Sequence, residues 1–261
     1  MMGYATRTAP TKPARSMTAA SSGRALRIAE AGDGWLVAEK PAGISVHNDP
    51  GTDLRALLAD RVAKDPVLRR RVDFDPAWGF HAVGRLDKEA DGLILCAWRP
   101  EVFAALSAQY AGRETGKTYL VLVHGCLGDG RDGLSWNWPL SAGAAGRRDP
   151  AGRPPRVDCR TEVEILEQGR DVTLIRCRPH TGRQHQIRRH AALSGHPVAG
   201  DRRYGPPRAA EDLERRFGFA RIGLHARSLT FTPPGAGRPI TVESAAVPPI
   251  FETLLESGAE V

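Results

Sequence analysis

The chain has 261 residues, 41% hydrophobic and 26% charged, enough apolar material for one large domain or two small ones. No run approaches the ~18 consecutive apolar residues of a membrane-spanning helix, which sets membrane proteins of that kind aside. Lys and Arg number 37 against 30 Asp and Glu, a formal charge of +7 that favours a polyanionic partner without requiring one.

Residues 1–24 contain no acid and are rich in Ala, Thr, Ser, Pro and Arg. They lack the apolar block of a secretory signal and read as a disordered basic arm. Their composition also fits an organellar transit peptide, or a true start at Met17. Order is expected from residue 25 onward. Ala25–Ala29 and Trp35–Glu39 flank Ala31-Gly32-Asp33-Gly34, a two-strand-and-turn signature. Lys40-Pro41-Ala42-Gly43 ends the second strand. Thr52-Asp53 caps a helix to about Ala63, with Leu54, Leu57, Leu58 and Val62 on one face. From Lys64 to Trp78 the chain is charged, punctuated by Pro, and reads as irregular.

Gly84-Arg85-Leu86-Asp87-Lys88-Glu89-Ala90-Asp91-Gly92 then leads into the apolar run Leu93–Ala97, a charged loop opening onto a buried strand. Arg85 and Asp87, two residues apart on a loop carried by a sheet, can converge on one pocket. The plainer reading is a surface turn with an ordinary ion pair. Arg99-Pro100-Glu101 starts a helix to Tyr110, with Phe103, Leu106 and Tyr110 as its stripe. Lys117–Gly125 is a strand. Gly128–Pro155 is loop-like, and its part beyond Leu140 is expected to be mobile. Thr161–Leu166 and Val172–Cys177 form a hairpin, a helix runs from about Gln184 to Leu193, Leu224–Phe231 is a strand, and Pro248–Leu255 is a closing helix. Paired strands with few helices predict an α+β fold with a mixed, largely antiparallel central sheet and flanking helices.

Arg176 to His190 holds five arginines and three histidines with no acid, a block that must face negative charge. His180, His185, His190 and His196 are spaced by five, five and six, which does not place them on one helical face as a zinc site would need. No metal is expected. Cys96, Cys126, Cys159 and Cys177 form no C-x-x-C, in keeping with a reducing cytoplasm. A hydrolase reading finds no Gly-x-Ser-x-Gly or His-Glu-x-x-His.

Four segments now bear on one another: Gly84-Arg85-Leu86-Asp87, Lys117-Thr118-Tyr119, Thr181–His190, and Gly195-His196-Pro197-Val198-Ala199-Gly200-Asp201. Together with Lys40-Pro41-Ala42-Gly43, in this order, they resemble the RluA-type family of RNA pseudouridine synthases from about residue 26 to 255. The resemblance implies a catalytic domain over 25–261 with the pseudouridine synthase fold. It implies isomerisation of uridine to pseudouridine within RNA, with no cofactor or metal; ribosomal and transfer RNA are both open as substrates, and a cytoplasmic monomer is the default expectation. Asp87 would be the essential carboxylate, as nucleophile towards the base or as a base on the ribose. Arg85 would fill the place of the extruded base, Tyr119 would pack on the uracil, Ile187 would complete the apolar wall, and Arg188 would pair with Asp87. Arg183, Arg189, Arg202 and Arg203 are candidate phosphate contacts, and His185 a backbone-bonding or RNA-contacting residue. A non-catalytic RNA-binding protein would have no need of Asp87, Tyr119 and Arg188 together.

Two departures stand out. The family usually has His where this chain has Gly84, and often Thr-Ser-Gly where this chain has Glu89-Ala90-Asp91-Gly92. Larger members carry a small N-terminal RNA-binding domain, which some 25 residues cannot hold.

Overall fold

The computed structural model describes residues 26–72, 75, 77–128, 134–244 and 247–257. The basic arm expected at 1–24 lies outside them. In chain order the elements are β1 (Arg27–Ala31), β2 (Trp35–Lys40), α1 (Leu54–Lys64), α2 (Pro66–Arg71), β3 (His81–Ala82), β4 (Asp91–Ala97), α3 (Pro100–Gly112) and β5 (Gly116–His124). There follow β6 (Leu134–Trp136), β7 (Leu140–Ser141), β8 (Arg156–Val157), β9 (Thr161–Gln168), β10 (Val172–Pro179), α4 (Gln186–Leu193), α5 (Pro207–Phe217), β11 (Leu224–Phe231), β12 (Ile240–Glu243) and α6 (Pro249–Glu256).

One sheet organises the molecule, in the order β1-β2-β4-β11-β5-β10-β9-β6, with β12 on β11 and β3 on β4. Among the described residues only the β4–β11 pairing is parallel, with His225 opposite Asp91 and Ala226 opposite Gly92. Gly92 makes this approach possible. Its φ is +105°, and a Cβ there would run into the Ala226 backbone. The expected α+β architecture on a largely antiparallel sheet is the one found.

Alternation along the strands divides the apolar residues between two faces. Leu36, Ala38, Ile94, Cys96, Val121, Val123, Ile175 and Cys177 bury one face under α1 (Leu54, Leu58, Val62) and α4 (Ile187, Ala191). On the other face, Trp35, Val37, Leu93, Leu95 and Ala97 pack under α3 through Val102 and Leu106. Leu120, Leu122 and Val172 pack there under α5 and α6 through Leu213, Phe251 and Leu254. Among the described residues no helix is long and apolar enough to cross a membrane.

Three segments differ from their sequence reading. The charged stretch after Lys64 contains α2, because Asp65 Oδ1 accepts from the Val67 and Leu68 amides at 3.0 Å each and Pro66 pre-sets the first turn. The stretch after Leu140 is tied down instead of loose. Its β7–β8 hairpin encloses a turn whose carbonyls are gathered by one buried arginine, described below. Helix α5, which follows Pro206 and ends at Gly218 in the left-handed region, carries both a starting proline and a closing glycine that the sequence reading did not use.

Candidate active site

Asp87 sits on the loop between β3 and β4, at the floor of a cleft of about 710 Å³. The loop is held from beneath by Lys40 at the end of β2, which is 1% exposed. Its ammonium donates to the carbonyls of Ala90 (2.6 Å), Pro41 (2.8 Å), Ile44 (2.8 Å) and Lys88 (3.2 Å). Burial lowers the Lys40 pKa to about 8 against the pull of the Asp91, Asp87 and Glu89 carboxylates. At the far end of the loop, Asp91 receives a forked pair from Arg221 and a contact at 3.0 Å from His225 Nδ1. The departure at Glu89–Gly92 thus has a local meaning: Asp91 and Gly92 join the loop to β11.

Arg188, on the first turns of α4, reaches across to Asp87 with Nη1 to Oδ2 at 2.8 Å. Its other edge is clamped by Asp201, Nε to Oδ2 at 2.6 Å and Nη2 to Oδ1 at 3.0 Å. Arg188 is 3% exposed and Asp201 1%, so this is a buried pair that needs its remaining lone pairs filled. They are filled: Asp201 Oδ1 also accepts from the Arg203 and Tyr204 amides. Burial pushes the Asp201 carboxyl up, but the Arg188 guanidinium and these amides outweigh it and hold the group below its ordinary value. Burial likewise opposes the charge on Arg188, and the two aspartates overcome it and raise its pKa. Asp201 stood in the sequence motif without a role, and its role is to aim Arg188 while leaving Nη1 for Asp87.

Tyr119, on β5, lines the same cleft, as do Ile187, Arg85, Arg183 and His185. Burial, then the Asp87 charge, raises the Tyr119 phenol, so it stays protonated beside the carboxylate. Arg85 is exposed at the mouth and has no partner among the described residues, free to move with a ligand. His185 adopts the left-handed conformation (φ 55°, ψ 29°) at the start of α4. Its Nδ1 meets the Tyr204 hydroxyl at 3.0 Å and its Nε2 lies 3.8 Å from Asp87 Oδ1. Burial lowers its pKa, with Asp87 opposing and Arg188 and Arg203 assisting, which favours the neutral ring. Of the two expectations for His185, a backbone bond or an RNA contact, the first is not what is found: its ring bonds a phenol, which accepts the Ala145 amide at 3.2 Å.

Arg189 is a correction. It was expected on phosphate, yet it is fully buried, and its guanidinium donates to the carbonyls of Pro150, Ala151, Ser141, Gly143 and Gln184 and to the Ser141 hydroxyl. Every donor is spent inside the protein. Much of the basic block finds its negative charge at home too: Arg176 and Arg178 meet Glu164, and His180 meets Glu162 at 2.9 Å. Of the other proposed phosphate contacts, Arg202 pairs with Glu214, and Arg203 Nε donates to the Ala145 carbonyl. His190 bonds Thr161 Oγ1 and the Trp138 carbonyl, at 3.0 Å each, which occupies both ring nitrogens.

Among solved structures, the fold is similar to human RNA pseudouridylate synthase domain containing 1, with a TM-score of 0.67 and 23% identity over 85% of this chain and 83% of that one. It is similar also to human RNA pseudouridylate synthase domain containing 4, with a TM-score of 0.65 and 20% identity over 90% and 94%. The architecture is therefore that of a pseudouridylate synthase domain.

The model of the RNA pseudouridylate synthase family matches residues 34–193, and the chain belongs to that family. A ribosomal large subunit pseudouridine synthase D of Xanthomonas campestris pv. campestris is 34% identical over 234 residues, which is 87% of this chain and 68% of that protein. A ribosomal large subunit pseudouridine synthase C of Vibrio vulnificus is 32% identical over 216 residues, covering 81% and 63%. This chain thus spans about two-thirds of the length of these relatives.

Proposed function

We propose that this protein isomerises uridine to pseudouridine within RNA. The observation that carries the reading is the Asp201–Arg188–Asp87 chain at the base of a cleft walled by Tyr119 and Ile187. A carboxylate anchored there is single and directed, and the cleft has the volume of a site for a small ligand such as one nucleotide. The names of the two relatives favour large-subunit ribosomal RNA as the substrate. We assign the reaction to a cytoplasmic monomer that uses no metal.

The target nucleotide must leave its stack, at a cost of roughly a few kcal/mol, and Arg85, exposed at the cleft mouth, would fill the gap with a flat guanidinium. In the reaction the N1–C1′ bond breaks, the uracil turns, and a C5–C1′ bond forms. The proton on C5 then leaves and N1 gains one. Asp87, oriented by Arg188, either adds to the base and is released when the ring is rejoined, or takes a proton from the ribose and later returns it. Tyr119 and Ile187 hold the detached ring, and the neutral phenol of Tyr119 offers an oxygen rather than a charge.

Tritium release from large-subunit ribosomal RNA labelled at C5 of uridine tests this. The wild-type protein should release tritium, and Asp87→Asn should lower the rate at least about a thousandfold while RNA binding persists, the scale of losing a group that acts in the transition state. The variant keeps Arg188 neutralised through Asp201, so it should fold. An Asp87→Asn protein that still turns over would end the proposal.

A further inference from the structure

Beyond Tyr119, the cleft continues to an end that the reaction does not use. Lys117 precedes Tyr119 by two residues on β5, so their side chains share a face about 7 Å apart. The Lys117 ammonium lies 4.2 Å from the centre of the Tyr110 ring. That contact is a cation–π one and uses none of its three N–H donors on an acceptor. No carboxylate or carbonyl accepts from Lys117 among the described residues. Burial lowers its pKa, a penalty that nothing nearby offsets.

Tyr110 is fixed there by a second feature. Gly84, at φ +99°, has no side chain, and a Cβ at that position would overlap the Tyr110 ring. The ring therefore packs directly on the backbone of the loop that carries Asp87, in the space opened by a glycine where the family usually has a histidine. Arg113 caps α3 at the same end of the cleft in the left-handed conformation (φ 61°), exposed and unpaired among the described residues. Thr115 and Thr118 add hydroxyls to this wall. Along the whole cleft one carboxylate, Asp87, faces six Lys and Arg side chains.

We propose that Lys117, seated on Tyr110 and flanked by Arg113, is a subsite for the RNA phosphate next to the isomerised uridine. This rests on the reading of the cleft as an RNA site. A phosphodiester supplies the acceptor that the ammonium lacks, and one strand can meet both Tyr119 and Lys117 over that separation. Tyr110 then acts as a platform that holds the cation in place without neutralising it.

The test is the salt dependence of binding of a short fluorescein-labelled oligouridylate, measured in an Asp87→Asn background so that no turnover intervenes. Adding Lys117→Met, which keeps the packing on Tyr110, should weaken binding about tenfold at low salt. It should also flatten the slope of log K against log salt by about 0.7, the loss of one phosphate contact on a single strand. Lys117→Arg should restore the slope. A neutral methylphosphonate placed at each linkage in turn should weaken the Lys117 protein at one position and be silent there with Lys117→Met. An unchanged slope in Lys117→Met, or no measurable binding by the Asp87→Asn protein itself, overturns the subsite. Failure of the enzymatic reading is separate: binding with the expected slope but no tritium release by wild type would sink the isomerase and leave the subsite standing.

Discussion

Arg188 hydrogen-bonds two carboxylates, with a third, the exposed Glu89, 3.6 Å from Nη1, and the two bonded ones are not equivalent. Asp201 is buried, takes two of its N–H groups and is itself held by two amides, whereas Asp87 is one-fifth exposed and takes one. Removing a member of a fully buried pair costs about 3–5 kcal/mol, because the remaining charge has no solvent to turn to. Asp201→Asn should therefore lower the melting temperature by roughly 10 °C in a domain of this size. Asp87→Asn should cost no more than about a third as much, since water reaches that carboxyl and Arg188 keeps its principal partner. Thermal denaturation of the two variants side by side checks the ranking, and equal shifts would mean that Asp201 is not the anchor. On the proposed reading, this division of labour would let Asp87 be tightly aimed without being indispensable to the fold.

Helix α4 and the turn between β7 and β8 are one construction. Arg189 stands next to Arg188 in sequence but points the other way, into a nest of five carbonyls contributed largely by residues 141–151. Ala151 and Gly143 keep a second donor in the Ser141 amide and hydroxyl, but an apolar side chain would take the guanidinium from all five, at about 1–3 kcal/mol for each buried carbonyl left without a partner. Arg189→Met should release the segment 141–152 from protection against amide hydrogen exchange while the β4–β11–β5 strands keep theirs. Uniform loss of protection, or none, would contradict a local anchoring role.

This also shows what the sequence could and could not reveal. The longer strands β1, β2, β4, β5, β9, β10 and β11 and helices α1, α3, α4 and α6 were legible because apolar spacing and caps are local signals, whereas β3, β6, β7, β8 and β12, of two to four residues, were not. Asp87, Tyr119 and Arg188 were legible because they stand in ordered motifs. The direction of Arg189 was not legible: two adjacent arginines on a helix of eight residues differ only in which neighbours lie over them. The order of the turn after Leu140 was hidden for the same reason, since its stabilising donor lies 38 or more residues away. Helix α2 was missed although Asp65-Pro66 is a sound start signal, because six residues carry too little periodicity.

At the scale of the whole molecule, the excess positive charge is less available than a count of +7 suggests. Glu162, Glu164 and Glu214 answer basic residues on the surface, and Arg188 and Arg189 are spent inside. Among the described residues, four basic side chains without an ion pair, Arg85, Arg113, Lys117 and Arg183, line the cleft together, while others such as Arg55, Arg148, Arg170 and Arg238 are scattered over the rest of the surface. A field focused there should speed RNA encounter and fall off with ionic strength.

The placement of β11 governs when such a protein becomes competent. The strand leading from Asp87 and the strand bearing Tyr119 are not neighbours, for β11 is wedged between them. Every residue assigned here to the chemistry is thus translated before the strand that spaces them. A nascent chain stalled with residue 223 at the ribosomal exit should hold all the reactive groups and release no tritium. Activity should appear only once Leu224–Phe231 has emerged, and earlier onset in a series of stalled lengths would show that the site assembles without that keystone.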